Sequence, residues 1–93
     1  MKAIWNGKVI AESDDIVEIE GRKYFPDSSK VAEYFKPSES TSQCAWKGTA
    51  NYYDIEVDGK INKNACWYYA NPSEEAVSIK GRVAFWMGVE IEE

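Results

Sequence analysis

No histidine occurs among the 93 residues of this chain. That removes the usual base partner of a serine or cysteine nucleophile and the commonest neutral metal ligand. Cysteine is sparse as well, with only Cys44 and Cys66. Their separation matches neither a CxxC redox pair nor a zinc-knuckle spacing. Without histidine they cannot complete an ordinary closed zinc site unless carboxylates join them. A disulfide across the intervening loop stays open, worth about 3 kcal/mol in a chain-entropy treatment. No apolar run approaches the roughly 20 residues of a membrane span. Met1 to Gly7 leads straight into a hairpin rather than out of a signal peptide. The expectation is a cytoplasmic protein with two free thiols and no membrane partner. Positive charge is also in deficit, 11 Lys and Arg against 16 Asp and Glu for a net charge of −5. An acidic surface repels phosphate backbones, which argues against nucleic acid as a partner while leaving room for one local basic pocket.

What the chain does have is aromatic bulk, 14% of residues. A domain of this size buries only about 60–65% of the surface its unfolded chain exposes, so large side chains must supply the core. The whole of 1–93 reads as one domain. Asn6-Gly7, Glu20-Gly21 and Asp58-Gly59 each separate two strand-like runs, and such pairs tolerate the positive φ of a two-residue hairpin turn. A two-residue turn at Glu20-Gly21 predicts Glu18 opposite Lys23 and Val17 opposite Tyr24, with charges on one face and packing groups on the other. Asp27 to Phe35 predicts a short helix, with Val31, Tyr34 and Phe35 on its apolar side. Lys36 to Ser42 is polar, contains Pro37 and reads as a loop. Thr49 to Val57 alternates, with Asn51, Tyr53, Ile55 and Val57 on one face and Tyr52, Asp54, Glu56 and Asp58 on the other. Ile61 to Asn64 predicts a bulge or loop before the returning strand Ala65 to Tyr69. Pro72 to Val77 predicts one helical turn. Val83, Phe85, Met87, Val89 and Ile91 predict a single last strand. The sum is a mainly β fold of six to nine strands and one or two short helices: a compact antiparallel domain, either a small sandwich or a tent-like, partly open barrel.

Several segments carry a resemblance. Trp5-Asn6-Gly7, Tyr24-Phe25-Pro26, Cys44-Ala45-Trp46-Lys47-Gly48-Thr49-Ala50, Tyr52-Tyr53, Asp58-Gly59, Ala65-Cys66-Trp67-Tyr68-Tyr69 and Lys80-Gly81-Arg82-Val83-Ala84-Phe85-Trp86 resemble a small bacterial family catalogued as domain of unknown function 427, also labelled a nucleotidyltransferase domain. The resemblance spans nearly the whole chain. It implies a compact, mostly antiparallel β domain, akin to tent-like folds that include zinc-ribbon sulfoxide reductases and the cereblon ligand domain. Two positions depart from the family pattern: Ala45 stands where the family has proline, and Cys66 where alanine is usual. Little functional weight therefore rests on Cys66.

Candidate site residues follow from chemistry. Trp46, Tyr52, Trp67, Tyr69 and Trp86 are read as the walls of a groove that stacks a planar ligand. Adjacent aromatics on a strand must face opposite ways, so not all can be core. Lys47 and Lys80 each precede glycine and are read as point-charge anchors for a phosphate or carboxylate; no P-loop motif accompanies them. Asp54, Glu56 and Asp58, at alternate positions, are the candidate Mg²⁺ or Mn²⁺ ligands of a metal-dependent nucleotidyltransferase. Outside that reading no cofactor is expected. Cys44 is read as a buried structural cysteine. No complete acid, base and nucleophile set can be assembled. The expectation is therefore binding of a small planar or anionic ligand, or a short peptide. Metal-dependent nucleotidyl transfer and a protein-interaction module or homodimer are the alternatives.

Overall fold

The computed structural model describes residues 1–93. Nine strands are present: β1 Lys2–Trp5, β2 Lys8–Glu12, β3 Val17–Ile19, β4 Arg22–Pro26, β5 Phe35–Cys44, β6 Gly48–Val57, β7 Lys60–Tyr68, β8 Arg82–Phe85 and β9 Glu90–Glu92. They form two antiparallel sheets, a three-stranded one ordered β2-β1-β9 and a six-stranded one ordered β3-β4-β8-β7-β6-β5. The fold is thus mainly β and open-edged, and its helical content is confined to short 3-10 segments.

The three predicted hairpin turns are all present. Trp5 pairs with Lys8, Ile19 with Arg22 and Val57 with Lys60. Asn6, Glu20 and Asp58 take φ values of 50, 54 and 51°, and the glycine after each is also left-handed. Glu18 faces Lys23 and Val17 faces Tyr24 as expected, with an ion pair joining Glu18 to Lys23. The anticipated bulge is also there. Tyr53 pairs with Cys66 but Ile55 with Asn62, and Asn64 takes φ 55°. Two extra residues on β7 keep each side chain on its original face.

Three expectations are corrected. Asp27 to Phe35 is not a helix but two single 3-10 turns, Asp27–Ser29 and Ala32–Tyr34, with Lys30 and Val31 extended between them. The Val31 amide donates to the Ile10 carbonyl at 2.8 Å and Lys30 bridges Ala11. So short a segment gains little from helix cooperativity, and the neighbouring strand captures its backbone. Lys36 to Ser42 is not a loop but most of β5. It is an edge strand whose exposed faces carry no apolar signal, with a register shift between Pro37 and Thr41. Proline is tolerated on an edge, where its missing N–H faces solvent. The last run is not one strand. Met87 and Gly88 are both left-handed, the Val89 amide donates back to the Trp86 carbonyl, and β9 leaves to pair with β1. Met87 is consequently 52% exposed rather than in the core.

The six-stranded sheet carries apolar residues on both faces. One face packs under the small sheet, burying Phe25, Phe35, Ile55, Val57, Cys66, Val83 and Phe85 together with Ala3, Ile10 and Ala11. The other gathers Tyr24, Ala50, Trp67, Tyr69 and Ala84, and its only cover is the 3-10 segment Glu74–Ile79, which contributes Ala76 and Ile79. That second face is where the candidate site lies.

Candidate functional site

Alternation along four strands builds the site. At the end of β7 Trp67, and just beyond it Tyr69, share a face, opposite Cys66 and Tyr68. In β6, Tyr52 pairs with Trp67 and comes to that face. In β4, Arg22 and Tyr24 follow the same parity, and Trp86 joins just after β8. Together with Glu20 and Lys47, the residues Arg22, Tyr52, Trp67, Tyr69 and Trp86 line a cavity of about 340 Å³. This lies near the small end of the roughly 300–1,000 Å³ typical of small-molecule pockets.

Three of the four rings are held by a polar partner. The Trp67 indole stands edge-on to Trp86 at 5.6 Å and to Tyr24 at 6.3 Å, and its N–H donates to the Tyr24 hydroxyl at 3.3 Å. The Trp86 N–H donates to the Asn64 carbonyl at 2.5 Å. Asn64 is in turn fixed by its own amide donating to Asp54 at 2.8 Å and by side-chain bonds to Ser38 and Ser40. The Tyr52 and Ser42 hydroxyls bond at 2.8 Å. Burial pushes the Tyr69 hydroxyl up to about 12, with the neighbouring Tyr24 and Cys44 adding to the effect.

The charges come from two turns. Cys44 ends β5, and the chain turns through Ala45, Trp46 and Lys47 into Gly48, which opens β6. The Ser73 amide donates to the Lys47 carbonyl at 3.0 Å, and the Ser73 hydroxyl to the Trp46 carbonyl at 2.5 Å. Gly48 has φ 112°, and a Cβ there would lie 3.3 Å from the Asn71 carbonyl oxygen. Glycine is thus required both by conformation and by the close approach of the neighbouring loop. Clamped in this way, Lys47 is only 8% exposed. Its ammonium lies 2.5 Å from the carboxylate of Glu20, whose own side chain is 59% exposed, and 5.1 Å from the Trp46 ring centroid. Burial pulls the Lys47 pKa down, but the bond to Glu20 and the charges around it outweigh burial and raise it. A buried ammonium needs such a partner. Arg22 sits with its guanidinium 5.4 Å from the Trp67 ring centroid and takes part in no ion pair.

Five of the seven sequence-predicted binding residues therefore meet at one cavity: Lys47, Tyr52, Trp67, Tyr69 and Trp86. Trp46 does not line it; 36% exposed, it supports Lys47 from outside. Lys80 lies elsewhere, on a second cavity of about 320 Å³ with Asp27, Tyr53, Tyr68, Gly81 and Arg82, and only Tyr69 borders both. The candidate metal ligands do not converge. Asp54 accepts the Asn64 amide, while Glu56 and Asp58 border a separate surface depression near Lys8 and Lys36. Asp58 sits in the hairpin turn at φ 51° and so leaves the strand alternation. No three acidic or thiol side chains are grouped as a cation would require.

Sequence reasoning missed Glu20, Arg22 and Asn64. Glu20 and Arg22 flank a hairpin glycine, where charges ordinarily mark a solvated turn. Asn64 had a signal in the polar break Ile61 to Asn64, read there only as a bulge. Cys44 is half-buried rather than buried. Backbone amides of Trp46 and Lys47 directed at its sulfur, helped by the Lys47 charge, lower its pKa against the effect of burial. Cys66 is fully buried on the opposite face and burial pushes its thiol well up. With the two on opposite faces of the sheet and both free, no disulfide joins them. No helix is long and apolar enough to cross a membrane.

No curated protein matches the chain. The family model described as a domain of unknown function, DUF427, matches residues 1–93, and the chain belongs to that family.

Proposed function

We propose that the chain binds a small planar, anionic ligand in the cavity bordered by Lys47, Tyr52, Trp67, Tyr69 and Trp86. The observation that carries this reading is the convergence of one buried ammonium and four aromatic rings on a single concavity. Pockets that fix small ligands combine an apolar lining with a few placed polar groups. Here the rings offer edges and faces for stacking, and Lys47 and Arg22 offer positive charge in a chain that is otherwise acidic. Free thiols at Cys44 and Cys66 fit a reducing cytoplasm.

Metal-dependent nucleotidyl transfer draws less support, because Asp54 is separated from Glu56 and Asp58 and already serves the Asn64 amide. A thermal-shift panel of planar carboxylates, free bases, phosphate and nucleoside triphosphates, with and without Mn²⁺, separates the readings. Ligand at about a hundred times its Kd adds roughly 2.7 kcal/mol to stability, and each kcal/mol moves the midpoint by about 4–8 °C in a domain of this size. The expected outcome is a metal-independent rise with planar anions that Lys47→Ala abolishes. A rise with nucleotides that requires Mn²⁺ would transfer the assignment to the transferase reading. Silence across the panel, with a mass that grows with concentration, would make the chain a protein-interaction module.

A further inference from the structure

The Glu20–Lys47 pair is lopsided. Lys47 is rigidly placed and nearly enclosed, whereas Glu20 reaches it from the exposed tip of a two-residue hairpin turn. A core ion pair would bury both partners. Here a surface acid lends one carboxylate oxygen to a buried cation at the edge of an aromatic cavity. We infer that the cavity takes a planar monocarboxylate whose carboxylate replaces that of Glu20 on the Lys47 ammonium, so that Glu20 is an internal occupant of the ligand's anion position. This rests on the reading of the cavity as a planar-ligand site.

The chemistry favours a carboxylate over a phosphate. The group already at Lys47 is a carboxylate, so its size and charge fit the space. A monoanion restores the one-to-one pairing at Lys47 that Glu20 now supplies and leaves Arg22 as it is, over the Trp67 ring. A phosphate dianion would bring a second charge toward the displaced Glu20, in a chain of net charge −5. No glycine-rich loop of amides is available at this turn to spread that charge. The aromatic part of the ligand would then lie among Tyr52, Trp67 and Trp86, whose rings face the same cavity. Glu20 therefore sets the anion's affinity: a neutral planar molecule leaves Glu20 in place, while an anionic one must outcompete it.

The test compares 2-naphthoate, 2-naphthamide and 2-naphthyl phosphate on the full chain by calorimetry, with ¹⁵N spectra of the indole and Gly21 amides. Variants are Glu20→Gln, Arg22→Gln and, as a charge control on the same hairpin, Glu18→Gln, since Glu18 is engaged with Lys23 instead. Glu20→Gln is expected to tighten naphthoate by roughly three- to fivefold, the upper end of the scale of a partly exposed ion pair. Naphthamide should change by less than about twofold, and Glu18→Gln should leave both probes within about twofold, the small effect of an exposed charge. Naphthoate, but not naphthamide, should move the Gly21 amide of the wild type. If Glu20→Gln changes nothing while Arg22→Gln removes the preference for naphthoate over naphthamide, the anion sits at Arg22 and the displacement is wrong, although the cavity still binds. Tighter binding of the phosphate than of naphthoate overturns the carboxylate class. Equal gains from Glu18→Gln and Glu20→Gln reduce the effect to net charge and overturn the displacement. If none of the three probes binds any variant, the planar-ligand reading falls together with this one.

Discussion

Four consecutive residues, the last three of β7 and the one after it, expose the two sides of the six-stranded sheet to direct comparison. Cys66 and Tyr68 turn toward the face that the small sheet covers; Trp67 and Tyr69 turn toward the face that only Glu74–Ile79 covers. On the covered side, phenylalanines meet ring to ring, Phe25 with Phe85 at 5.5 Å and Phe85 with Phe35 at 6.1 Å. On the other side the aromatics are tryptophans and tyrosines, and Trp67, Trp86 and Tyr52 each have a hydrogen-bond partner. Among the buried rings the choice follows the side, while Tyr53 and Tyr68 stack at the partly exposed rim of the covered face. Phenylalanine suits a dry interface between two sheets, whereas tyrosine and tryptophan suit a surface with one apolar and one wet side. A sheet with a single lid can thus hold the fold together on one face and present a site on the other.

That contrast can be broken or sharpened by experiment. The largest effect should come from the covered side: Phe85→Ala should cost about 3–5 kcal/mol in denaturant unfolding. Trp86→Ala, half-buried with its indole bonded to Asn64, should cost clearly less and instead weaken naphthamide binding. Equal losses would mean that both faces are structural. The cysteines sharpen the comparison next. Cys44, with its lowered pKa, should react with a disulfide reagent in the native state, while Cys66 should wait for unfolding; Cys44→Ser should remove the fast phase. Alkaline pH gives a smaller effect. Folding raises the pKa of Lys47, so its contribution is complete below the ordinary lysine value of 10.5 and disappears as the pH rises through the folded value. Burial likewise raises Tyr53 and Tyr69 to about 12, so their contribution is complete below the ordinary value of 10.0 and fades by about pH 12. Stability should therefore fall over this alkaline window, and Lys47→Met should shallow the slope. Ultraviolet titration of Tyr53→Phe and Tyr69→Phe should each remove one late-ionising phenol. The smallest effect belongs to Tyr52→Phe, which loses only the bond to Ser42 on an exposed edge and should stay within about 0.5 kcal/mol.

Legibility followed the physical signal. The hairpins at Asn6-Gly7, Glu20-Gly21 and Asp58-Gly59 were readable because left-handed backbone restricts residue choice. So was the aromatic face of β6 and β7, because alternation on a strand leaves no freedom about which side a ring takes. β5 was opaque: an edge strand wet on both faces has the composition of a loop. The helix expected at Asp27 to Phe35 failed because the helical spacing of Val31, Tyr34 and Phe35 was local, while the capture of Lys30 and Val31 by β2 was not. The break after Trp86 was hidden by an unbroken alternating pattern, and Met87 carries a positive φ that its side chain does not advertise. At the site, the rings and Lys47 were found, and Glu20 and Arg22 were not, since partners across space are unmarked in sequence. Lys80 was assigned to the groove on its likeness to Lys47, but the chain delivers it to another cavity.

The Glu20-Gly21 turn places an acid and a base at the cavity with only one residue between them. In a hairpin of this kind, adding or deleting a single residue shifts the register and turns every side chain of the returning strand over. Arg22 and Tyr24 would then trade places with Lys23 and Phe25, stripping one face of its cation and the other of a core ring. The hairpin therefore has no neutral length variants: among descendants of this chain, point substitutions at its tip can retune the site, but the residue count between Ile19 and Arg22 should stay constant.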